Sequence, residues 1–326
     1  MNVKSKVILR SVKDGAVAER VRECMEACNW DQLVKPGAKV IVKPNLCTAV
    51  PEKWEMSNTD PRITEAVCKV LLEKTPNVTI VESSGLRQTA WEAFEVSGHT
   101  ALAKRLGVGL VNMTESKWRK ADVDPVGPID LPEIMLDSDV FITLPVLKTH
   151  ALTYFTGAIK NQWGCVPHYN RILWHQHLNV MLASLHGIFR PAMAIMDGII
   201  AMEGRGPANG KPRRLDILMA SRDSVALDST AARLVGLDPN RAEHILLTEK
   251  LGLGTSQPDQ IELDGDWNAH KTQFEPAILD KAIAAMDYMT RYPWFVRHML
   301  EKDVLFYPIR ACVKMLRAVG VVEGGG

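Results

Sequence analysis

The chain has 326 residues, enough for one large or two ordinary domains, with 46% apolar and 24% charged residues. A formal net charge of +1 leaves no broad field to draw in nucleic acid or an acidic membrane. The leading MNVKSKVILR lacks the apolar core of a secretory signal, no apolar run reaches the ~18 residues of a membrane span, and six scattered cysteines form no CxxC, so the expectation is a reduced, cytoplasmic protein.

In chain order, residues 7–10 read as a strand. Residues 16–28 read as an amphipathic helix with Val17, Val21, Cys24 and Cys28 on one stripe, the two cysteines as buried thiols ahead of the alternative, a two-cysteine metal site. AKVIV (38–42) is a buried strand introduced by the Pro36-Gly37 turn, and Asp60 followed by Pro61 caps and opens a helix with Ile63, Val67, Val70 and Leu71 inward. Strands at 78–81 and 107–111 flank a helix around 93–106. Residues 140–144 form the central strand, ended by Pro145, which has no N–H to offer a ladder. Helices follow at 174–188, 224–235 and 240–251, with strands at 192–196 and 217–220. This alternation predicts an α/β fold: two lobes with a mainly parallel sheet and covering helices, the first over 1–145, the second over 146–270 carrying the motif loops, then a helical C-terminal segment over 271–326.

The stretch SDVFITLPVLKTHALTYFTGAIKNQWGCVP (138–167) places Lys148, His150, Lys160 and Asn161 past the central strand, at the edge where open α/β sheets bind ligands. Its neighbours Leu147, Leu152, Phe155, Ile159 and Trp163 are apolar, so these lysines should be covered, and a covered cation needs a partner or an anionic ligand. VKPNL puts Lys43 and Asn45 at the end of the AKVIV strand, close before the TDPR helix start, whose N-terminus also suits an anion. ESSG puts Ser84 beside Gly85 at a third strand end, with no histidine or acid at nucleophile-elbow spacing. DGIIAMEGRGP brings Asp197, Glu203 and Arg205; the two acids suit a base and acid or a divalent cation, and neither phosphate-loop motif is present. Asp223 reads as a helix cap, whereas Asp228 sits among Val225, Ala226 and Leu227 and asks for another explanation. His168, His175 and His177 lack metal-ligand spacing and read as pocket lining with Tyr169 and Trp174. The expectation is one cleft. In it Lys43, Asn45, Lys160, Asn161, Ser84 and Arg205 hold a small anionic metabolite, Lys148 and His150 stand at the chemistry, and Asp197 with Glu203 supply a base or hold a metal.

VKPNL, SDVFITLPVLKTH, TGAIKNQWG, DGIIAMEGRGP and SRDSVALDSTAARLVGLDP, in that order over about residues 40–239, resemble the DUF362 family. Many of its members carry a ferredoxin-like segment with clustered cysteines; this chain has no CxxCxxC run, so the resemblance brings no iron–sulfur cluster with it. TGAIKNQWG is also similar in style to the glycine–lysine segment of lactate racemase and its relatives, which implies isomerase or other proton-transfer chemistry without implying a nickel pincer cofactor. Two function classes stay open: an enzyme with isomerase- or lyase-like proton transfer on a carboxylate or phosphate, and an accessory or redox-partner protein holding a cofactor for another enzyme. Near the C-terminus, Trp294, Phe295, Met299, Leu305, Phe306, Ile309, Val313 and Leu316 recur at three- and four-residue spacings. That face suits packing on the body first, a homodimer second and a membrane surface last.

Overall fold

A computed structural model describes residues 4–277 apart from 86, 87, 170 and 208, together with 288, 292 and 294. Of the expected helical segment 271–326, residues 271–277 are described and carry no helix; the rest, with the homodimer and membrane alternatives attached to it, lies, but for 288, 292 and 294, outside the described part.

The apolar runs become strands β1 (Ser5–Ser11), β2 (Val40–Pro44), β3 (Val78–Glu82), β4 (Gly109–Asn112), β5 (Trp118–Val123), β6 (Gly127–Pro132), β7 (Val140–Leu144), β8 (Val146–His150), β9 (Tyr154–Thr156), β10 (Met193–Glu203), β11 (Lys211–Ser221) and β12 (Ile261–Asp264). Ten of them form one sheet along the path β12-β1-β11-β10-β7-β2-β3-β4, with β8 joined to β10 and to β9. The pairings β10–β7, β7–β2, β2–β3 and β3–β4 are parallel, so the sheet is mainly parallel and the C-terminal ends of β2, β3 and β7 share one edge. β5 and β6 make a separate antiparallel pair that the sequence reading did not anticipate.

β2 and β7 are buried along their whole length, as strands covered on both faces must be. Alternation sorts their side chains into two cores. Ile41 and Phe141 join Leu147, Phe155, Trp163 and Leu185 on one side, while Val42 and Ile142 join Val21, Ile63, Val67 and Phe94 on the other. The helices Leu178–Phe189 and Ser224–Leu234 cover the first side, and Val17–Ala27 and Pro61–Leu72 the second. Asp60 caps the helix Pro61–Leu72 as expected, its carboxylate accepting from the Arg62 N–H at 2.9 Å. The single helix expected near 93–106 is two, Ala90–Val96 and His99–Leu106, because Gly98 turns left-handed between them at φ +76°.

Two departures shape the site. Pro145 ends β7, yet the chain resumes at once as β8, because β10 outruns β7 and offers a second length of ladder, Asp197 opposite Val146 and Met202 opposite Lys148. Lys148 and His150 therefore stand on a strand. For the same reason DGIIAME, expected as a loop, is the distal half of β10. The strands of the two expected lobes pair directly: β7 with β10, and β1 between β11 and β12. No helix among the described residues is long and apolar enough to cross a membrane.

Candidate functional site

The shared edge of β2 and β3 holds a buried ion pair. Lys43, 1% exposed, donates to Glu82 Oε2 at 2.8 Å, to the Pro44 carbonyl at 3.1 Å and to Asn161 Oδ1 at 3.4 Å. Three donors are all an ammonium has. Glu82 also accepts from the Ser83 and Leu46 N–H groups. Asn161 donates to the Lys43 carbonyl and to Thr143 Oγ1. Lys43 and Asn161, both expected to hold ligand, thus spend their polar atoms on joining β2, β3 and β7. Gly164 lies against this pair so closely that a Cβ there would sit 2.6 Å from Lys43 Nζ and 2.7 Å from Glu82 Oε1, so any side chain would push the pair apart.

Lys148, also 1% exposed, donates to Asn45 Oδ1 at 2.7 Å, to the Ser57 carbonyl, to Cys47 Sγ at 3.4 Å and to the Pro207 carbonyl at 3.5 Å. None of these is a carboxylate. Burial lowers its pKa, and the nearby Cys47 and Asp197 only partly oppose that. Asp197 is buried as well and accepts from the Asp60 N–H at 2.8 Å and the Ile199 N–H at 2.9 Å. Desolvation raises it to about 7. It also lines a cavity of about 300 Å³ with Trp54, Glu55, Asp60, Arg62 and Arg214 among others.

Lys160 and Asn161 ride on one turn of helix, Ala158–Asn161. Its start is held by Asp228, whose two oxygens accept from the Ala158 N–H at 2.7 Å and the Ile159 N–H at 3.0 Å. This explains an acid among apolar neighbours: it caps a helix 70 residues away. Burial raises the Asp228 carboxyl to about 7 even so. The cap requires a bare backbone beside it, since a Cβ on Gly157 would meet Asp228 Oδ1 at 2.1 Å.

Lys160 itself is half-buried and has no hydrogen-bond or ion-pair partner among the described residues. Burial first, then the charges of Arg171, Lys148 and Lys43, bring its ammonium down to about 7. Arg171 directs one Nη at the carbonyls of Ser84, Val166 and His168, at 3.0, 3.2 and 3.1 Å, and pairs with no carboxylate among the described residues. His150, His175 and His244 all feel the Lys160 charge. Burial leads in lowering each: His150 well below its usual value, and His175 and His244 to about 3. Neither ring nitrogen of the fully buried His244 has a partner among the described residues.

The tautomer of His150 follows from geometry. Its Nδ1 accepts from the Leu152 N–H at 3.1 Å and the Thr153 N–H at 3.2 Å, which puts the proton of the neutral ring on Nε2. Near neutral pH His150 is then a hydrogen-bond donor at Nε2 rather than a base. To ligate a metal through Nε2 it would have to turn Nδ1–H against two backbone N–H groups. Among the described residues no three His, Cys, Asp or Glu side chains stand close enough to hold a metal ion.

The remaining expected residues lie elsewhere in role or place. Glu203 accepts from Arg213 at 2.9 Å and from the Glu275 N–H at 3.0 Å, tying β10 to β11 and to the chain beyond β12. Arg205 is exposed. Ser84 Oγ accepts from the Ala90 N–H at 3.1 Å and from Asn112 Nδ2 at 3.1 Å, at the start of a helix. Lys148 is thus joined to Asn45 and faces Asp197, Lys43 is joined to Asn161, and Lys160 faces His150; Glu203 and Arg205 enter none of these contacts. Arg171, His244, Cys47 and Glu82 belong to the centre without having been singled out for it. Glu82 sits one residue before the serines that drew attention, and the others carry no local spacing signal.

A mainly parallel α/β sheet with cations gathered at its C-terminal edge, of which Lys148, Lys160 and Arg171 have no carboxylate partner among the described residues, describes the class of protein at hand. The chain belongs to the family described as Domain of unknown function (DUF362), whose model matches residues 40–233. It is 32% identical over 261 residues to a thylakoid-associated protein of Synechocystis sp., covering 77% of this chain and 80% of that one. Among solved structures it is similar to the lactate racemase apoprotein from Thermoanaerobacterium thermosaccharolyticum, at TM-score 0.43 and 10% identity over 68% of this chain. It is also similar to a protein from Thermotoga maritima, at TM-score 0.42 and 10% identity over 73% of this chain. The chain spans 55% and 59% of the lengths of those two structures.

Proposed function

We propose that the protein is a small-molecule enzyme that binds an anionic metabolite, a carboxylate or phosphate, at Lys160 and transfers a proton there in isomerase- or lyase-type chemistry. One observation carries this reading: Lys148, Lys160 and Arg171 are covered cations whose direct partners among the described residues, where they have any, are carbonyls, an amide and a thiol, with no carboxylate. Burying one unpaired ion costs several kcal/mol, a cost that a bound anion would offset. The proton-transfer role passes from His150, fixed as a donor, to Lys160, which exchanges its proton near neutrality. Asp197, raised to about 7, is a second candidate carrier beside Lys148. Lys43, Asn45, Asn161 and Ser84 serve by fixing the walls.

Titration calorimetry with inorganic phosphate tests this. Because the ammonium is the binding form, affinity should fall by about tenfold per pH unit above about pH 7, and Lys160→Met should abolish the signal. Binding that ignores pH across that range, or survives Lys160→Met unchanged, would remove the basis of the proposal.

A further inference from the structure

Three lysines sit in the covered region, and they differ in what their nitrogen is doing. Lys43 gives its three hydrogens to Glu82, Asn161 and the Pro44 carbonyl. Lys148 is surrounded by four acceptors. A lysine nitrogen engaged in that way has its hydrogens already directed at protein acceptors. Lys160 has no such acceptor among the described residues, and the charges of Arg171, Lys148 and Lys43 outweigh the one opposing group, the Cys47 thiol. The chain nevertheless fixes its position closely, through the Asp228 cap and the bare backbone of Gly157. An amine that is desolvated, ringed by cations and left without an acceptor is a nucleophile toward carbonyl carbon.

We infer that Lys160 forms an imine with a 2-oxo acid, its Nζ adding to the ketone carbon while the substrate carboxylate lies in the field of Lys148 and Arg171. This rests on the anion-site reading and narrows its substrate class. The same cations that deny Lys160 its proton also favour an anion close by, and a carboxylate on the neighbouring carbon is the nearest an anionic group can stand to the reacting carbonyl. In the addition step the nitrogen lone pair forms the C–N bond, the C=O π pair moves to oxygen, and one proton passes from nitrogen to that oxygen. The carbinolamine then takes up a second proton and loses its hydroxyl as water, while the nitrogen lone pair closes the C=N bond. Overall one ammonium and one ketone give one iminium and one water, with no further reactant. The iminium would withdraw electrons from the adjacent carbon, which suits the proton-transfer or lyase chemistry proposed above.

The test is reductive trapping. The full-length protein is incubated with pyruvate and sodium borohydride near neutral pH, and the adduct is located by peptide mass spectrometry. With its pKa near 7, Lys160 has a neutral fraction about a thousandfold that of an ordinary lysine. Even after allowing for the weaker nucleophilicity of a less basic amine, it should be labelled at least about tenfold faster than any other lysine. Lys160→Arg keeps the charge and cannot form an imine. Once shown folded by circular dichroism, it should still bind inorganic phosphate and take no adduct. Label spread over exposed lysines with Lys160 unmodified, while phosphate still binds, overturns the imine and spares the anion site. A wild-type protein that gives no binding heat with phosphate or pyruvate and no adduct overturns both.

Discussion

Replacing Lys160 with methionine should make the protein more stable while removing its capacity for an anion. Methionine keeps most of the apolar stem and discards the charge. In the fold the ammonium is brought from 10.5 to about 7, chiefly by burial. Each pKa unit is worth about 1.4 kcal/mol, so the full shift would correspond to about 5 kcal/mol; the partial solvent contact of Lys160 reduces the expected gain to about 2–4 kcal/mol. The sign follows from the protons bound. Between about 7 and 10.5 the unfolded chain holds a proton on this lysine that the folded chain has shed, so wild-type stability rises with pH across that window. The contribution is whole above 10.5 and lost as pH falls through about 7. Urea denaturation at about pH 7 should therefore show Lys160→Met ahead of wild type, and at about pH 10 the two should nearly coincide. A variant that is less stable than wild type at the lower pH, or equally displaced at both, would mean that Lys160 is neither desolvated nor unpartnered in the way described.

Two further substitutions probe the frame. Gly157→Ala would drive a methyl group into Asp228 Oδ1 and dislodge the helix that carries Lys160, and thermal melting should register a loss of about 2 kcal/mol or more. Lys43→Met leaves Glu82 buried without its cation and should cost about 3–5 kcal/mol, much of which the double change with Glu82→Gln should restore; a double variant no better than the single would show that the ion pair is not the quantity being lost.

Much of the centre was legible in the sequence because its residues follow apolar strands directly. Lys43 stands near the end of β2 with Asn45 just after it, Lys148 and His150 come after β7, and a strand's length and apolar run locate its end. Asp228 was legible as an anomaly, an acid in an apolar helix, although its partner on another helix was not. The roles were harder to read because they depend on strand order. Lys43 is an internal ion-pair member only because β3 lies beside β2 and brings Glu82 to it. Glu203 and Arg205 shared a motif with Asp197, but motif proximity says nothing about which way successive strand residues turn, and β10 delivers Glu203 to Arg213. The β5–β6 hairpin escaped notice because Trp118, Arg119 and Lys120 on β5 are all exposed, which erases the in–out alternation that marks a strand.

The place of β1 between β11 and β12 has a consequence for how the chain is made. Val7 pairs with Ser221 and Ser5 with Ile261, so β1 leaves the ribosome roughly 200 residues before either partner exists. At about 5–20 residues per second that is an interval of about 10–40 s. Throughout it Val7, Ile8 and Leu9, each at most 3% exposed in the finished fold, have no strand to lie against, and β10 presents an open ladder until β11 arrives. A nascent chain stalled before residue 211 therefore carries both an orphan apolar strand and an unprotected sheet edge. Two such chains on one messenger could satisfy each other. Slowing translation across the β11 segment should therefore lengthen the exposure of both and lower the yield of folded protein.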